Sequence, residues 1–189
     1  MSAGILYLHG FCSSPQSWKA RLLAEALAER GLGERLFCPF LSPVPDEAIR
    51  QAEAIVARES GPLTVVGSSL GGFYATWLAE RHGLRAVLVN PAVLAHLSLA
   101  DYVGPQTNLY TGEEFQFTRE HVAQLQAMEV ADLRPERYWL LVEEGDEVLD
   151  YRQAVARYRD ARQTVLAGGD HSFTRFVDFV PQILEFAGL

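Results

Sequence analysis

Val65-Val66-Gly67-Ser68-Ser69-Leu70-Gly71-Gly72 carries a Gly-x-Ser-x-Gly pattern centred on Ser69. A β-branched run, Leu63-Thr64-Val65-Val66, precedes it, and a helix-like segment, Phe73 to Glu80, follows. A serine on a sharp strand-to-helix turn is held in a strained conformation with its hydroxyl exposed above a sheet. The flanking glycines let strand and helix pack closely behind it. The next amide, that of Leu70, falls at a helix N-terminus, where unpaired N–H groups and the helix dipole favour a developing negative charge. An inert glycine-rich turn would share these letters; the strand before and the helix after favour a nucleophile. Ser68 is displaced by one position from its glycines and does not fit. The segment also lacks the Gly-Lys-Ser/Thr ending of a phosphate loop and the Gly-x-Gly start of a dinucleotide loop.

Outward from this turn, strands and helices alternate. Gly4 to Leu8, Leu36 to Cys38, Arg85 to Val89, Tyr138 to Val142 and Gln163 to Leu166 read as further strands. Short continuous apolar runs of this kind suit strands buried on both faces. Between them, helices are expected from Ser14-Pro15 to Gly31, over 46–59, through the segment ending at His82-Gly83, over 119–128, over 151–161 and from Phe173 to Phe186. Ser14 makes a good N-cap and Pro15 a good first helical residue. The pattern predicts a three-layer α/β/α sandwich with a mostly parallel sheet of about six strands and ligands at the strand C-termini. From Ala92 to about Phe117 the periodicity is lost, and a structureless stretch of this length in a compact domain is more often a functional cover than filler. With the helix after it, a short covering segment is expected at about 92–128.

A serine nucleophile needs a base. Of five histidines, His171 stands in the glycine-rich loop Ala167-Gly168-Gly169-Asp170-His171 between the last strand and the last helix, where this architecture places chemistry. A third group must fix the imidazole tautomer. Asp146, just after strand 138–142, gives the chain order Ser, acid, His of α/β-hydrolases. Asp150 is the rival, with an N-cap as its default role; Asp170 adjoins His171 and would have to turn back on it. The oxyanion hole needs two converging amides. Leu70 supplies one, and the loop His9-Gly10-Phe11-Cys12 supplies the other, from Phe11.

The 189 residues, 49% hydrophobic and 21% charged, suit a single globular domain over 1–189. A formal charge of −8 disfavours nucleic acid and anionic membranes as partners. No apolar run approaches a spanning helix, and the N-terminus lacks the basic residue of a signal peptide. Cys12 and Cys38 have no metal-ligand spacing and make no disulfide framework, so a cytoplasmic setting without metal is expected.

Several longer strings resemble the YqiA-like bacterial esterases of the α/β-hydrolase superfamily. They are Tyr7-Leu8-His9-Gly10-Phe11 with Ser13-Ser14-Pro15, Gly67 to Gly72, Val89-Asn90-Pro91-Ala92, Tyr110-Thr111-Gly112, Gly145 to Tyr151, and Gly168-Gly169-Asp170-His171. The resemblance implies a small carboxylesterase or thioesterase with Ser69, Asp146 and His171 as its triad, and a compact α/β-hydrolase sheet lacking the first two strands of the larger fold. It also points to Cys12, Asn90, Val93 and Tyr110 as substrate-contacting positions. Two of these depart from the family pattern: Cys12 stands in place of an asparagine, and Val93 in place of an arginine. The expected partner is a small-molecule ester or thioester of small to medium acyl length, with no cofactor, no membrane insertion and no implied oligomeric state. The alternatives are acyl transfer by the same triad, or a binding module with a silent site.

Overall fold

In the computed structural model, which describes residues 3–189, the chain runs β1 (Gly4–Leu8), α1 (Trp18–Glu29), β2 (Leu36–Phe37), α2 (Pro45–Arg58), β3 (Leu63–Ser68), α3 (Leu70–His82), β4 (Arg85–Val89), α4 (Ala95–Ser98), β5 (Gly104–Thr107), β6 (Glu114–Phe117), α5 (Arg119–Ala127), β7 (Tyr138–Glu143), α6 (Tyr151–Arg157), β8 (Arg162–Leu166) and α7 (Phe176–Ala187). Six strands form one sheet in the order β2-β1-β3-β4-β7-β8, and every neighbouring pair is parallel. This is a three-layer α/β/α sandwich, consistent with the compact α/β-hydrolase fold.

Strands β1, β3 and β7 are buried along their whole length. Their continuous apolar runs follow from that burial, since neither face meets water. Leu6 and Leu8 join Val65, Leu88 and Leu140 in a core covered by Ile49 and Ile55 of α2 and Leu78 of α3. Ile5 and Tyr7 point the other way, to Val66, Val87 and Trp139 beneath Leu23 of α1 and Ile183 of α7. Successive strand residues alternate between faces, so a one-residue register slip would exchange the two cores.

Chain order places β2 on one side of β1 and β3 on the other. The C-terminal ends of β1 and β3 therefore flank the switch point, where open α/β sheets bind ligands. The loop after β1 and the Ser69 turn after β3 both stand there.

Two helix starts differ from the sequence expectation. Helix α1 begins at Trp18 rather than Pro15, because residues 14–17 close a turn of their own. Within it Ser14 Oγ accepts from the Gln16 amide at 3.0 Å, and the Ser17 amide donates to the Ser14 carbonyl at 3.1 Å. Helix α7 begins at Phe176 rather than Phe173. Phe173 has φ +54°, and its amide donates to the Asp170 carbonyl at 3.1 Å, which completes a separate turn.

The stretch read as irregular holds α4 and the antiparallel hairpin β5–β6, with Gly104 opposite Phe117 and Thr107 opposite Glu114. Four-residue strands are too short for a period of two to stand out in sequence. Among the described residues, no helix is long and apolar enough to cross a membrane.

Candidate active site

Ser69 sits between β3 and α3 with φ 54° and ψ −119°, a conformation that non-glycine residues adopt only where the surroundings impose it. Its amide donates to the Val89 carbonyl at 3.0 Å, and its carbonyl accepts from Gly72 at 2.9 Å and Ala92 at 3.0 Å. The turn is possible because of its glycines. A Cβ on Gly67 would lie 2.2 Å from the Gly71 carbonyl oxygen, and one on Gly71 would lie 2.0 Å from the Leu8 carbonyl oxygen. Strand, turn and helix thus pack backbone to backbone, leaving the hydroxyl to project from the crest.

The structure brings the three expected side chains together. His171 Nε2 lies 3.1 Å from Ser69 Oγ, and His171 Nδ1 lies 2.8 Å from Asp146 Oδ2. A deprotonated carboxylate only accepts, so Nδ1 carries the proton and Nε2 is the free base facing the hydroxyl. The other carboxylate oxygen of Asp146 accepts from the amides of Val148 at 2.9 Å and Leu149 at 2.8 Å. Burial of the Asp146 carboxyl opposes its ionisation. The hydrogen bonds from His171, Leu149 and Val148, with the attraction of the imidazole, outweigh that burial and hold its pKa below the ordinary value. Asp150, the rival acid, caps α6 by accepting from the Arg152 amide at 3.0 Å.

Three of the four remaining histidines make hydrogen bonds elsewhere, and His96 Nδ1 is buried without one. His9 is buried; its Nδ1 donates to the Gly10 carbonyl at 3.0 Å, and its Nε2 accepts from the Leu41 amide at 3.0 Å. Burial lowers the His9 pKa, in keeping with a neutral ring that braces the loop after β1. His82 lies 2.9 Å from Glu53, and His121 belongs to the capping box of α5.

Gly10 brings that loop against Ser69, since a Cβ there would meet Ser69 Cβ at 3.3 Å. Phe11 and Leu70 both border the cleft. Their amides make no hydrogen bond within the chain among the described residues. The Phe11 ring is gripped edge-on by Tyr102 at 5.8 Å, Phe115 at 5.9 Å and Phe117 at 5.1 Å, so residues 102–117 steady this loop. Asn108 adds to the grip, donating to the Ser13 carbonyl at 2.8 Å.

The cleft above Ser69 and His171 has a volume of about 780 Å³, and Leu99, Tyr102, Leu109 and Tyr110 form one wall. Cys12 lines it too, with φ 53°. Asn90 and Val93, expected to contact substrate, do not line it. Val93 packs against the core. Asn90 is 3% exposed, and its side chain holds backbone: Nδ2 donates to the carbonyls of Asp170 at 3.0 Å and His171 at 3.2 Å, while Oδ1 accepts from the Glu143 amide at 3.0 Å.

Sequence reasoning passed over the rest of this clamp. Glu143, fully buried at the end of β7, accepts from the Asp170 amide at 2.8 Å and from Arg175 Nε at 2.6 Å. Glu147 accepts from the His171 amide at 2.9 Å. One signal existed: a carboxylate directly closing an apolar strand is costly to bury and needs a reason. Among the described residues, no group of three or more His, Cys, Asp or Glu side chains could hold a metal ion.

Known structures share the fold. Mouse alpha/beta hydrolase domain-containing protein 10 superposes with a TM-score of 0.73 at 16% identity, covering 98% of this chain and 91% of its own. Est1E from Butyrivibrio proteoclasticus, in a structure with bound ferulic acid, superposes at 0.68 with 14% identity, covering 98% and 88%. The esterase domain of a Rhodothermus marinus protein gives 0.65 at 19% identity, covering 96% and 84%. A family model matches residues 4–188, nearly the whole sequence. The chain belongs to the family described as uncharacterised protein family UPF0227.

Proposed function

We propose that this protein is a serine hydrolase that cleaves a carboxylic ester or thioester of a small to medium acyl group, of the YqiA-like esterase type. The observation that carries the reading is the continuous hydrogen-bonded chain from Asp146 through His171 to Ser69, at 2.8 Å and 3.1 Å. Ser69 Oγ attacks the carbonyl carbon and its proton passes to His171 Nε2. The carbonyl π electrons move to oxygen, where the Phe11 and Leu70 amides stabilise the charge. Collapse of the tetrahedral species breaks the bond to the leaving oxygen or sulfur, which takes the proton from His171. Water then attacks the acyl-serine, giving a proton to His171 and releasing the acid as Ser69 recovers its own. Asp146 keeps the imidazole in the required tautomer throughout.

The 92–128 segment acts as a short cover, with Leu99, Tyr102 and Leu109 offering apolar surface to an acyl chain. Intact-mass labelling with a fluorophosphonate tests the reading. A single adduct on the wild type, absent from Ser69→Ala, is expected; a folded wild type that takes no adduct refutes it.

A further inference from the structure

Beside Ser69 the cleft has a polar corner that the hydrolytic steps leave unused. The first residues of α1 build it against the loop bearing His171. Ser17 occupies the N-cap position of α1, yet its side chain makes no capping hydrogen bond, and its Oγ is buried without a hydrogen-bond partner. Ser17 and Lys19 are only 6% and 7% exposed. Both line the cleft, together with Tyr7, Ser68, Ser69 and His171.

Lys19 Nζ donates to the Ser172 carbonyl at 2.6 Å. The Trp18 ring, 5.2 Å away, adds cation–π attraction. Neither partner carries a negative charge, and an ammonium has three hydrogens to donate. Asp170 and Glu143 act on it from a distance, and burial outweighs them, lowering the Lys19 pKa to about 8. Glu143 is already engaged by Arg175 and the Asp170 amide, and neither carboxylate lines the cleft. The ammonium stays mostly protonated at neutral pH, so the corner is a desolvated cation lacking a close anion. The first turn of α1 contains no acidic residue, which leaves the positive end of the 12-residue helix on the same spot. Tyr7, whose pKa burial drives far above its ordinary value against the opposing pull of the neighbouring Ser17 and Ser68 hydroxyls, contributes a neutral hydroxyl beside Ser17.

We propose that this corner is an anion subsite, and that the substrate carries a carboxylate held by Lys19 and Ser17 while its ester or thioester carbonyl sits at Ser69. The inference rests on the hydrolase reading of that site. A purely structural Lys19, tethering α1 to Ser172, accounts for the one hydrogen bond but not for the buried Ser17 hydroxyl left without a partner beside it. One ammonium and one hydroxyl match the single charge and two oxygens of a carboxylate. A phosphate dianion would leave a charge unmatched.

The test compares p-nitrophenyl hexanoate with its acidic counterpart, mono-p-nitrophenyl adipate, on wild type, Lys19→Met and Ser17→Ala. The readout is the ratio of kcat/KM for the two esters within each protein, so that any general loss of activity cancels. In the wild type the acidic ester is expected to be favoured by about 10-fold or more. That preference is expected to vanish in Lys19→Met and to fall several-fold in Ser17→Ala, which carries the test should Lys19→Met not fold. A wild type with no preference for the acid, or a preference that survives both substitutions, overturns the subsite. Calorimetric titration of the adipate ester into Ser69→Ala, and into Ser69→Ala combined with Ser17→Ala, reads binding without chemistry. Binding weakened by the second substitution, together with a wild type that hydrolyses neither ester, would refute the hydrolase reading alone. Hydrolysis of hexanoate without acid preference would refute the subsite alone.

Discussion

Asp146 makes three hydrogen bonds with its two carboxylate oxygens, one to His171 and two to backbone amides. The amides fix the carboxylate, and the carboxylate fixes the imidazole. Replacing Asp146 with Asn puts an NH2 group where acceptors are needed and favours the wrong histidine tautomer. Turnover on an ester substrate is expected to fall by about 10⁴-fold, with far-UV circular dichroism unchanged; a variant within ten-fold of wild type would move the orienting role elsewhere. The backbone around the site is as specialised as its side chains. Among the described residues, positive φ outside glycine occurs at Cys12, Ser69, Asn90 and Phe173, each in a loop that borders or supports the cleft. Strain of this kind persists where surrounding contacts over-determine the conformation. At Asn90 those contacts are the hydrogen bonds to Asp170, His171 and Glu143.

At the scale of elements, the His171 loop is held from the ends of two strands and from two helices. Asn90 after β4, Glu143 at the end of β7 and Arg175 before α7 converge on it, and Lys19 of α1 reaches Ser172. Gly169 is where this clamp is tightest: its φ is +78°, and a Cβ would lie 2.0 Å from Glu143 Oε2. Gly168, with φ +67°, would meet nothing within 4 Å. Gly168→Ala is expected to cost about 1 kcal/mol, the left-handed penalty alone, whereas Gly169→Ala adds loss of the Glu143 contact and costs on the order of 2–4 kcal/mol. Urea denaturation midpoints of the two variants check this; equal midpoints would mean that Glu143 moves aside freely. The hairpin β5–β6 plays the corresponding part for the loop after β1, through the rings that enclose Phe11.

For the molecule as a whole, Lys19 links global stability to pH. Its folded-state pKa, about 8, lies below the ordinary 10.5, so between these values the unfolded chain binds more protons than the native one. Stability contributed through this group therefore rises as pH increases from about 8 toward 10.5 and is flat below that window. The wild type is expected to gain on Lys19→Met across that range in urea denaturation; a difference independent of pH would place the ammonium in water. Much of the architecture could be read directly from residue order. Continuous apolar runs alternating with amphipathic segments specify a doubly covered parallel sheet, because a strand buried on both faces disfavours any polar side chain that lacks a hydrogen-bond partner. The Gly-x-Ser-x-Gly turn and the order of Ser69, Asp146 and His171 are equally local signals. Contacts between distant segments were not legible in this way. The start of α1 depended on a turn closed by Ser14, the hairpin over 104–117 on strands too short to show a period, and the role of Asn90 on Glu143 and Asp170, 53 and 80 residues further along. The sequence by itself determined the layers and the serine turn between β3 and α3, since burial and backbone preference act residue by residue. Only the tertiary structure decided which polar side chains hold the loops and which face the cleft, because a hydrogen-bond partner is chosen by position in space.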